Sequence, residues 1–331
     1  MRVTVLGAGY MGSAMATVAR KRGHDVTLWG TWLDDPMLDP VERGEPHPRL
    51  KLTLEGITTV RGHELAVLEA ALRPAELVVC GVNSDGIAEV MRRAAPFMPH
   101  VPILSVTKGL LESRAKKMDR IDLVIGEILG RDPRYVHAAG PAKAMEVARD
   151  VLTWMCFAGP DARFCADALA GKTLLVTPTA DIAGAELCSA LKNAYATGIG
   201  MWDGFVGPES HNARAASFAQ AIAEMRTIVL AAGGSADTVH GAAGVGDLHV
   251  TAAAGRNRAF GERIGRGEPA EKVAREMLAA GLLTEGYAAI ATATRFAEER
   301  GIKGLPLLSA INAIVWRSGD VRATLGALTF G

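Results

Sequence analysis

The chain has only four cysteines in 331 residues, Cys80, Cys156, Cys165 and Cys188, and each stands alone in apolar surroundings. No CxxC pair occurs, which excludes a disulfide framework and a zinc knuckle and fits a reducing, cytoplasmic setting. Net charge is also lacking. The 36 basic residues balance 36 acidic ones, so nothing speaks for a nucleic-acid partner or a membrane surface. No apolar run approaches membrane-spanning length, and the opening "MRVTVLGAGYMG" enters a structured pattern at once, without the apolar core of a signal peptide. The eight histidines form no HxxxH or HExxH pair on an expected helix, and no metal is expected. A GxSxG elbow and a locally supported Cys–His arrangement are missing too, which argues against hydrolase chemistry. Neither an internal repeat nor a low-complexity tract is found. These absences leave a small molecule as the expected partner.

What is present is enough for two cores. The length exceeds the usual single-core size, and 49% of the residues are apolar. In the first half, short β-branched runs alternate with helical patterns: "VTVLG" (3–7), "DVTLW" (25–29), "LVVCGV" (77–82), "PILSV" (102–106), "YVHAA" (135–139) and "TWMCFA" (153–158). That alternation predicts an α/β domain of Rossmann type, a doubly wound, mostly parallel sheet with helices on both faces. From about Asp181 the texture changes to long Ala-rich helical windows. One of them spaces Phe218, Ile222, Met225 and Val229 along one apolar face, with Gly233 and Gly234 to end it. Another runs from about Gly286 to Arg300, places Ile290 and Phe296 among alanines, and closes at Gly301. The expected domains are therefore residues 1–183, dinucleotide-binding, and 184–331, all-α and catalytic. Ligands commonly bind where such domains meet.

The dinucleotide expectation comes from "VTVLGAGYMGSAMATVARKRGHDVTLW", a strand, a Gly7-Ala8-Gly9-Tyr10-Met11-Gly12 turn, a helix and a second strand. Gly7 permits the tight turn, Gly9 lets a pyrophosphate approach the backbone, and Gly12 lets the helix pack closely on the sheet. Phosphates at the helix N-terminus would meet free N–H groups and the positive end of the helix dipole. Tyr10 and Met11, inside the turn, are assigned to the same cofactor. Met11, Ala14, Met15, Val18 and Ala19 share one helical face. The cofactor is NAD or NADP. After the second strand come Gly30 and Thr31, with Asp34 and Asp35 slightly beyond, and neither the acidic NAD signature nor the arginine of NADP is in its usual place.

A second feature is the lysine in "ELCSALKNAYATG" (186–198), a stretch that otherwise reads as core. Glu186, Ser189, Lys192 with Asn193, and Thr197 form a single polar stripe at helical spacing. A solvated helix face usually carries several flexible charges, whereas this one offers one lysine among small polar groups. The stripe therefore reads as lining a cleft.

Further stretches follow in order: "VTKGL" (106–110), "GPAKAMEVA" (140–148), "GAELCSALKNAYATGIGMWDG" (184–204), "NARAASFAQAIAEM" (212–225), "GAAGVGDLHVTAAAGRNRAFG" (241–261) and "TEGYAAIATAT" (284–294). With the glycine turn, they resemble the NAD(P)-dependent sn-glycerol-3-phosphate dehydrogenase family from about residue 1 to about 318. The resemblance implies an oxidoreductase of glycerol phosphate metabolism, feeding phospholipid biosynthesis, in which dihydroxyacetone phosphate and sn-glycerol 3-phosphate interconvert. It makes Lys192 the acid–base and Asp247 the aspartate that orients it and balances its charge. Lys108, after the strand "PILSV", is implied to contact cofactor and substrate. Thr251 matches a threonine near the substrate, and Asn193 stands ready to bond the substrate's hydroxyl or phosphate. Arg256 and Asn257 match a phosphate-binding pair, which suits the bidentate fork of an arginine; Arg256 is assigned to the cofactor as well. Gly140 and Ala144 match a loop against substrate and cofactor, and Glu285 a glutamate close to the cofactor. A homodimer is a further implication.

The chain departs from the family in places. Ala142 and Lys143 stand where Ser or Thr then Phe is usual, Asn83 replaces a proline within Val82-Asn83-Ser84, and Leu152 replaces another. His249, two residues after Asp247, is an added titratable group. These departures motivate an alternative, a dehydrogenase of the same architecture acting on another polyol phosphate or a hydroxy acid. A third reading, a catalytically silent nucleotide sensor, is opposed by the retained lysines, aspartate and Arg-Asn pair, which are costly to bury without use.

Overall fold

The computed structural model describes residues 1–330 and divides the chain into two compact units. The first joins Met1–Lys108 to Ile121–Ile182, and the second joins Gly109–Arg120 to the chain from Ala183 onward. No helix among the described residues is long and apolar enough to cross a membrane.

The strands in chain order are β1 (Arg2–Leu6), β2 (Asp25–Gly30), β3 (Ile57–Arg61), β4 (Leu77–Cys80), β5 (Ile103–Ser105), β6 (Leu111–Glu112), β7 (Met118–Asp119), β8 (Tyr135–Ala139), β9 (Thr153–Ala158) and β10 (Leu174–Thr179). All but β6 and β7 form one eight-stranded sheet, ordered β10-β9-β8-β5-β4-β1-β2-β3. Its pairs are parallel except β8 with β9, where Ala138 faces Phe157 across an antiparallel ladder. Each of the six expected strands is present, and β3 and β10, at the two edges, are additional. The continuous burial of β4, β5 and β8 is what a sheet covered on both faces requires.

Helices α1 (Tyr10–Lys21), α2 (Asp35–Glu42), α3 (Leu65–Leu72), α4 (Ser84–Ala94), α5 (Ile121–Leu129), α6 (Ala144–Ala148) and α7 (Ala162–Leu169) complete the first unit. Ala14, Met15, Val18 and Ala19 of α1 are buried in its core, with Met11 half-buried against it, so the apolar face expected of this helix packs on the sheet. The strand order reverses between β1 and β4. Open α/β sheets bind ligands beyond the carboxyl ends of the strands at such a reversal.

The second unit is helical: α8 (Ile182–Phe205, its first residue in the first unit), α9 (His211–Ala231), α10 (Ala236–His240), α11 (Asp247–Ala253), α12 (Arg256–Gly265), α13 (Ala270–Ala279), α14 (Glu285–Glu299), α15 (Pro306–Trp316) and α16 (Val321–Gly326). A short π-helical turn, Ala242–Gly246, leads into α11. Helix α8 is the axis of the unit, buried without a break from Ala183 to Met201. It meets α12 backbone to backbone: a Cβ on Gly261 or Gly265 would overlap the carbonyls of Thr197 or Met201. The hairpin β6–β7, which comes from the first half of the sequence, pairs Leu111 with Asp119 and lies along α14. There Glu299 accepts the Met118 N–H at 2.8 Å, and Arg300 donates to the Met118 carbonyl at 2.9 Å and to Asp119 at 3.0 Å.

Candidate active site

In the first unit, the glycine turn follows β1 and opens α1. Gly7 adopts φ +100°, and a Cβ on Gly12 would overlap the Gly7 carbonyl, so both glycines are required by the protein's own packing. Gly9 is different. A Cβ there would have its nearest neighbour at 4.0 Å, the carbonyl of Gly81, so the fold itself leaves room for a side chain. This free space suits a group brought against the Gly9 backbone from outside the protein. As N-cap of α1, Gly9 offers no side-chain hydrogen bond, and the first turn holds no acid. The first N–H groups of α1 thus present the unneutralised positive end of the helix dipole, which suits an anion. Tyr10 is partly exposed at 37%. The turn and its surroundings fit a dinucleotide pyrophosphate.

The middle of the turn is held on two sides by residues the sequence did not single out for this purpose. Asp34 accepts the Ala8 N–H at 3.0 Å, and the fully buried His47 reaches the Ala8 carbonyl with Nε2 at 3.0 Å. His47 Nδ1 accepts the N–H groups of Arg49 and Leu50, both at 3.2 Å, which places the ring proton on Nε2 as donor. Burial pushes the His47 pKa down, away from the charged form. Farther along the carboxyl edge, Lys108 follows β5 and extends Nζ to 3.5 Å from the carbonyl of Gly140, which follows β8. Gly140 has φ +124°, and a Cβ would press on the Trp154 carbonyl at 2.8 Å. Ala144 begins α6 and is buried. The structure thus gathers Gly7–Gly12, Lys108 and Gly140 beyond the carboxyl ends of β1, β5 and β8.

Of the departures in this unit, Asn83 caps α4 by accepting the Gly86 N–H at 3.0 Å. It therefore has a helix-starting role that a proline side chain cannot fill. Ala142 packs against the apolar core, while Lys143 and Leu152 are exposed.

In the second unit, Glu186, Ser189, Lys192, Asn193 and Thr197 are all buried, so the polar stripe of α8 does not face water. Lys192 forms an ion pair with Asp247, the first residue of α11, and the two are 6% and 0% exposed. Gly246, not Asp247, is the N-cap of α11, and the aspartate side chain is turned to the lysine. Thr251, one turn on, donates to the Asp247 carbonyl at 2.6 Å.

The neighbouring polar groups form one chain. Asn193 donates Nδ2 to Glu285 at 2.8 Å and accepts Nδ2 of Asn257 at 2.8 Å, while Asn257 accepts the Gly286 N–H at 2.9 Å. Glu285 also faces the Arg256 guanidinium at 3.9 Å. Asn257 is buried and ties α12 to α8 and α14, whereas Arg256 is exposed at the N-terminus of α12 behind Gly255, whose φ of +150° favours glycine. Arg256 and the first N–H groups of α12 therefore offer an anion site. Arg258 points elsewhere, to Asp203 at 2.7 Å. His249 is exposed and packs edge-on against Phe218, with ring centres 6.2 Å apart. Among the described residues no three His, Cys, Asp or Glu side chains are placed to hold a metal ion.

Residues 2–165 match the family model for the N-terminus of NAD-dependent glycerol-3-phosphate dehydrogenase, and residues 181–326 match the one for its C-terminus. The NADP(+)-dependent glycerol-3-phosphate dehydrogenase of Archaeoglobus fulgidus is 34% identical over 87% of this chain and 87% of its own. The enzyme of Lactobacillus delbrueckii subsp. bulgaricus named glycerol-3-phosphate dehydrogenase [NAD(P)+] 2 is 31% identical over 99% of this chain and 96% of its own. Among solved structures, glycerol-3-phosphate dehydrogenase from Coxiella burnetii superposes with a TM-score of 0.83 at 26% identity, covering 98% of this chain and 97% of that one. The two names disagree on the dinucleotide, yet they agree on the oxidoreductase and on its small phosphorylated substrate. The turn that opens α1 and the buried lysine of α8 thus lie within one matched pattern, and the chain belongs to the NAD-dependent glycerol-3-phosphate dehydrogenase family.

Proposed function

We propose that the chain interconverts dihydroxyacetone phosphate and sn-glycerol 3-phosphate with NAD(P)(H), and that Lys192 is its proton donor and acceptor. The observation that carries the lysine assignment is the buried ion pair of Lys192 with Asp247. Taking two charges out of water costs several kcal/mol per ion, and the attraction between them often fails to recover that cost. A stability role alone is therefore a weak explanation, whereas proton transfer to a bound ketone requires such a group.

A bound nicotinamide would supply the hydride chemistry at C2. The chain's own residues do the rest. Lys192 Nζ donates a proton to the C2 oxygen during reduction and takes it back from the C2 hydroxyl during oxidation. Asp247 aims Nζ and balances its charge. Arg256, with the N-terminus of α12, binds the phosphate by its guanidinium fork, and Glu285 limits where that fork can swing. Asn193, held by Glu285 and Asn257, and Thr251 contact the substrate. Lys108, Gly140 and Ala144 contact substrate and cofactor beyond the carboxyl ends of the strands, and Gly7–Gly12 bind the pyrophosphate. A homodimer and a cytoplasmic setting belong to the same reading. The first is tested by sedimentation equilibrium, and the second is supported by four buried cysteines that form no disulfide among the described residues.

The test is Lys192→Ala. Dihydroxyacetone phosphate reduction, followed by dinucleotide absorbance, is expected to lose about 10²- to 10⁴-fold in kcat, with dinucleotide affinity retained in a calorimetric titration. Loss of dinucleotide binding would make the lysine structural. A wild-type chain silent on dihydroxyacetone phosphate but active on another keto-phosphate or keto-acid would move the substrate assignment.

A further inference from the structure

Family membership leaves the choice between the two dinucleotides open, and so does the sequence after β2. We propose that Asp34 decides it, favouring NAD(H), with its free 2′-hydroxyl, over the 2′-phosphorylated NADP(H). This rests on the reading that the Gly7–Gly12 turn holds a dinucleotide.

The chain leaves β2 at Gly30 and turns back at once: the Asp34 N–H donates to the Thr31 carbonyl at 3.0 Å. The turn swings the Asp34 carboxylate inward. Its Oδ2 accepts the Thr31 N–H at 2.8 Å, the Thr31 hydroxyl at 2.9 Å and the Ala8 N–H at 3.0 Å. One oxygen thus bridges the carboxyl end of β2 and the centre of the glycine turn. Between these two elements a Rossmann-type fold seats the adenosine ribose. Oδ1 accepts no hydrogen bond among the described residues and remains for a ribose hydroxyl. The acid lies a few residues past the usual position, and the turn returns it to the place where an acid at the strand's end would stand.

The charges around it point the same way. A 2′-phosphate brings up to about two negative charges, and beside a carboxylate these repel unless a cation intervenes. The cations on the flanking elements are engaged. Arg61, at the end of β3, pairs with Asp35 at 3.2 Å, Asp39 at 2.6 Å and Glu42 at 2.5 Å. His63 bonds Asp35 at 2.8 Å, and Arg93 lies over the Trp32 ring at 3.8 Å while donating to Glu89 at 2.9 Å. Exposed Arg49, two residues from His47, is the cation that would have to serve a 2′-phosphate.

Calorimetric titration of the full chain with NADH and with NADPH, in the absence of substrate, tests the assignment. NADH is expected to bind about ten- to a hundredfold more tightly, the range for a hydrogen bond to a charged group. Asp34→Asn, checked for folding by circular dichroism, is expected to narrow that ratio, weakening NADH and strengthening NADPH. Equal or tighter binding of NADPH by the wild type overturns the proposal and points to Arg49, while leaving the dinucleotide reading intact. An unchanged ratio in a folded Asp34→Asn chain also overturns it, and binding of neither dinucleotide overturns both readings. If the variant fails to fold, competition of NADH binding to the wild type by ADP-ribose and by its 2′-phosphate decides in its place, with weaker competition by the 2′-phosphate expected and equal or stronger competition overturning the proposal.

Discussion

Gly9 and Gly12 are both glycines of one turn, yet the structure asks different things of them. A methyl group at Gly12 would overlap the Gly7 carbonyl, whereas one at Gly9 would meet nothing closer than 4.0 Å. Gly9→Ala should therefore leave the urea unfolding midpoint near wild type and abolish or sharply weaken dinucleotide binding. Gly12→Ala should lower stability by about 1–3 kcal/mol, the range for overpacking. A stability loss at Gly9 equal to that at Gly12 would show that the fold, not a ligand, requires both. At this scale the sequence was most legible where a residue's chemistry is unusual for its surroundings. Lys192 stood out because a lone lysine in an apolar helix needs a reason. Asn257 was less legible, since its amide is engaged with Asn193 and Gly286, partners 64 and 29 residues away that only the folded chain brings near. Asp34 escaped for a related reason, because its position past β2 matters only once the turn at Thr31 folds it back.

Helix α9 shows how tertiary demand overrides a periodic pattern. The apolar spacing predicts a buried face through Phe218, Ile222, Met225 and Val229, but Phe218 and Ile222 are only half-buried, and the inner face also carries Gln220 and Glu224. Glu224 is turned inward by α15, whose first N–H groups lack an intrahelical partner. Its carboxylate accepts Leu307 N–H at 2.6 Å, Leu308 N–H at 2.9 Å, the Tyr195 hydroxyl at 3.0 Å and Gln220 Nε2 at 3.0 Å. Burial raises the Glu224 pKa above its ordinary 4.5, and these donors pull the other way. Folding therefore favours the protonated form. The contribution is fully present below pH 4.5 and is lost as pH rises through the folded value. Glu224→Gln should remove that slope from the urea midpoint measured against pH. At neutral pH it should destabilise by about 1–3 kcal/mol, because an amide N–H₂ cannot accept the helix N–H groups it would face. The two unforeseen strands of the large sheet have an equally local cause. Ile57–Arg61 is half-exposed at one edge, and Leu174–Thr179 carries Pro178 at the other, so neither shows the apolar run of a central strand.

For the molecule as a whole, the change of texture near Asp181 lies close to the division between Ile182 and Ala183. The hairpin at 109–120 gave no such sign, since two-residue strands leave no periodic trace and their partner, α14, lies nearly two hundred residues away in the chain. Its attachment is polar and can be read by hydrogen exchange. In Glu299→Ala, the Met118 N–H loses its acceptor, so peptides covering 111–119 should exchange faster while those covering Gly7–Gly12 keep their wild-type rate. Unchanged exchange at the hairpin would mean that the rest of its contacts hold it without the glutamate.

The hairpin also means that the chain passes from one unit to the other three times, after Lys108, after Arg120 and after Ile182. No single breakpoint can then exchange one unit whole between two related genes. A recombinant joined at residue 183 would lay one parent's hairpin against the other parent's α14, and the bonds that Glu299, Arg300 and Arg295 make to the hairpin would be kept only where that parent offers counterparts of them. Both sides of this seam therefore have to come from compatible parents, a demand that a join placed by sequence position alone does not meet.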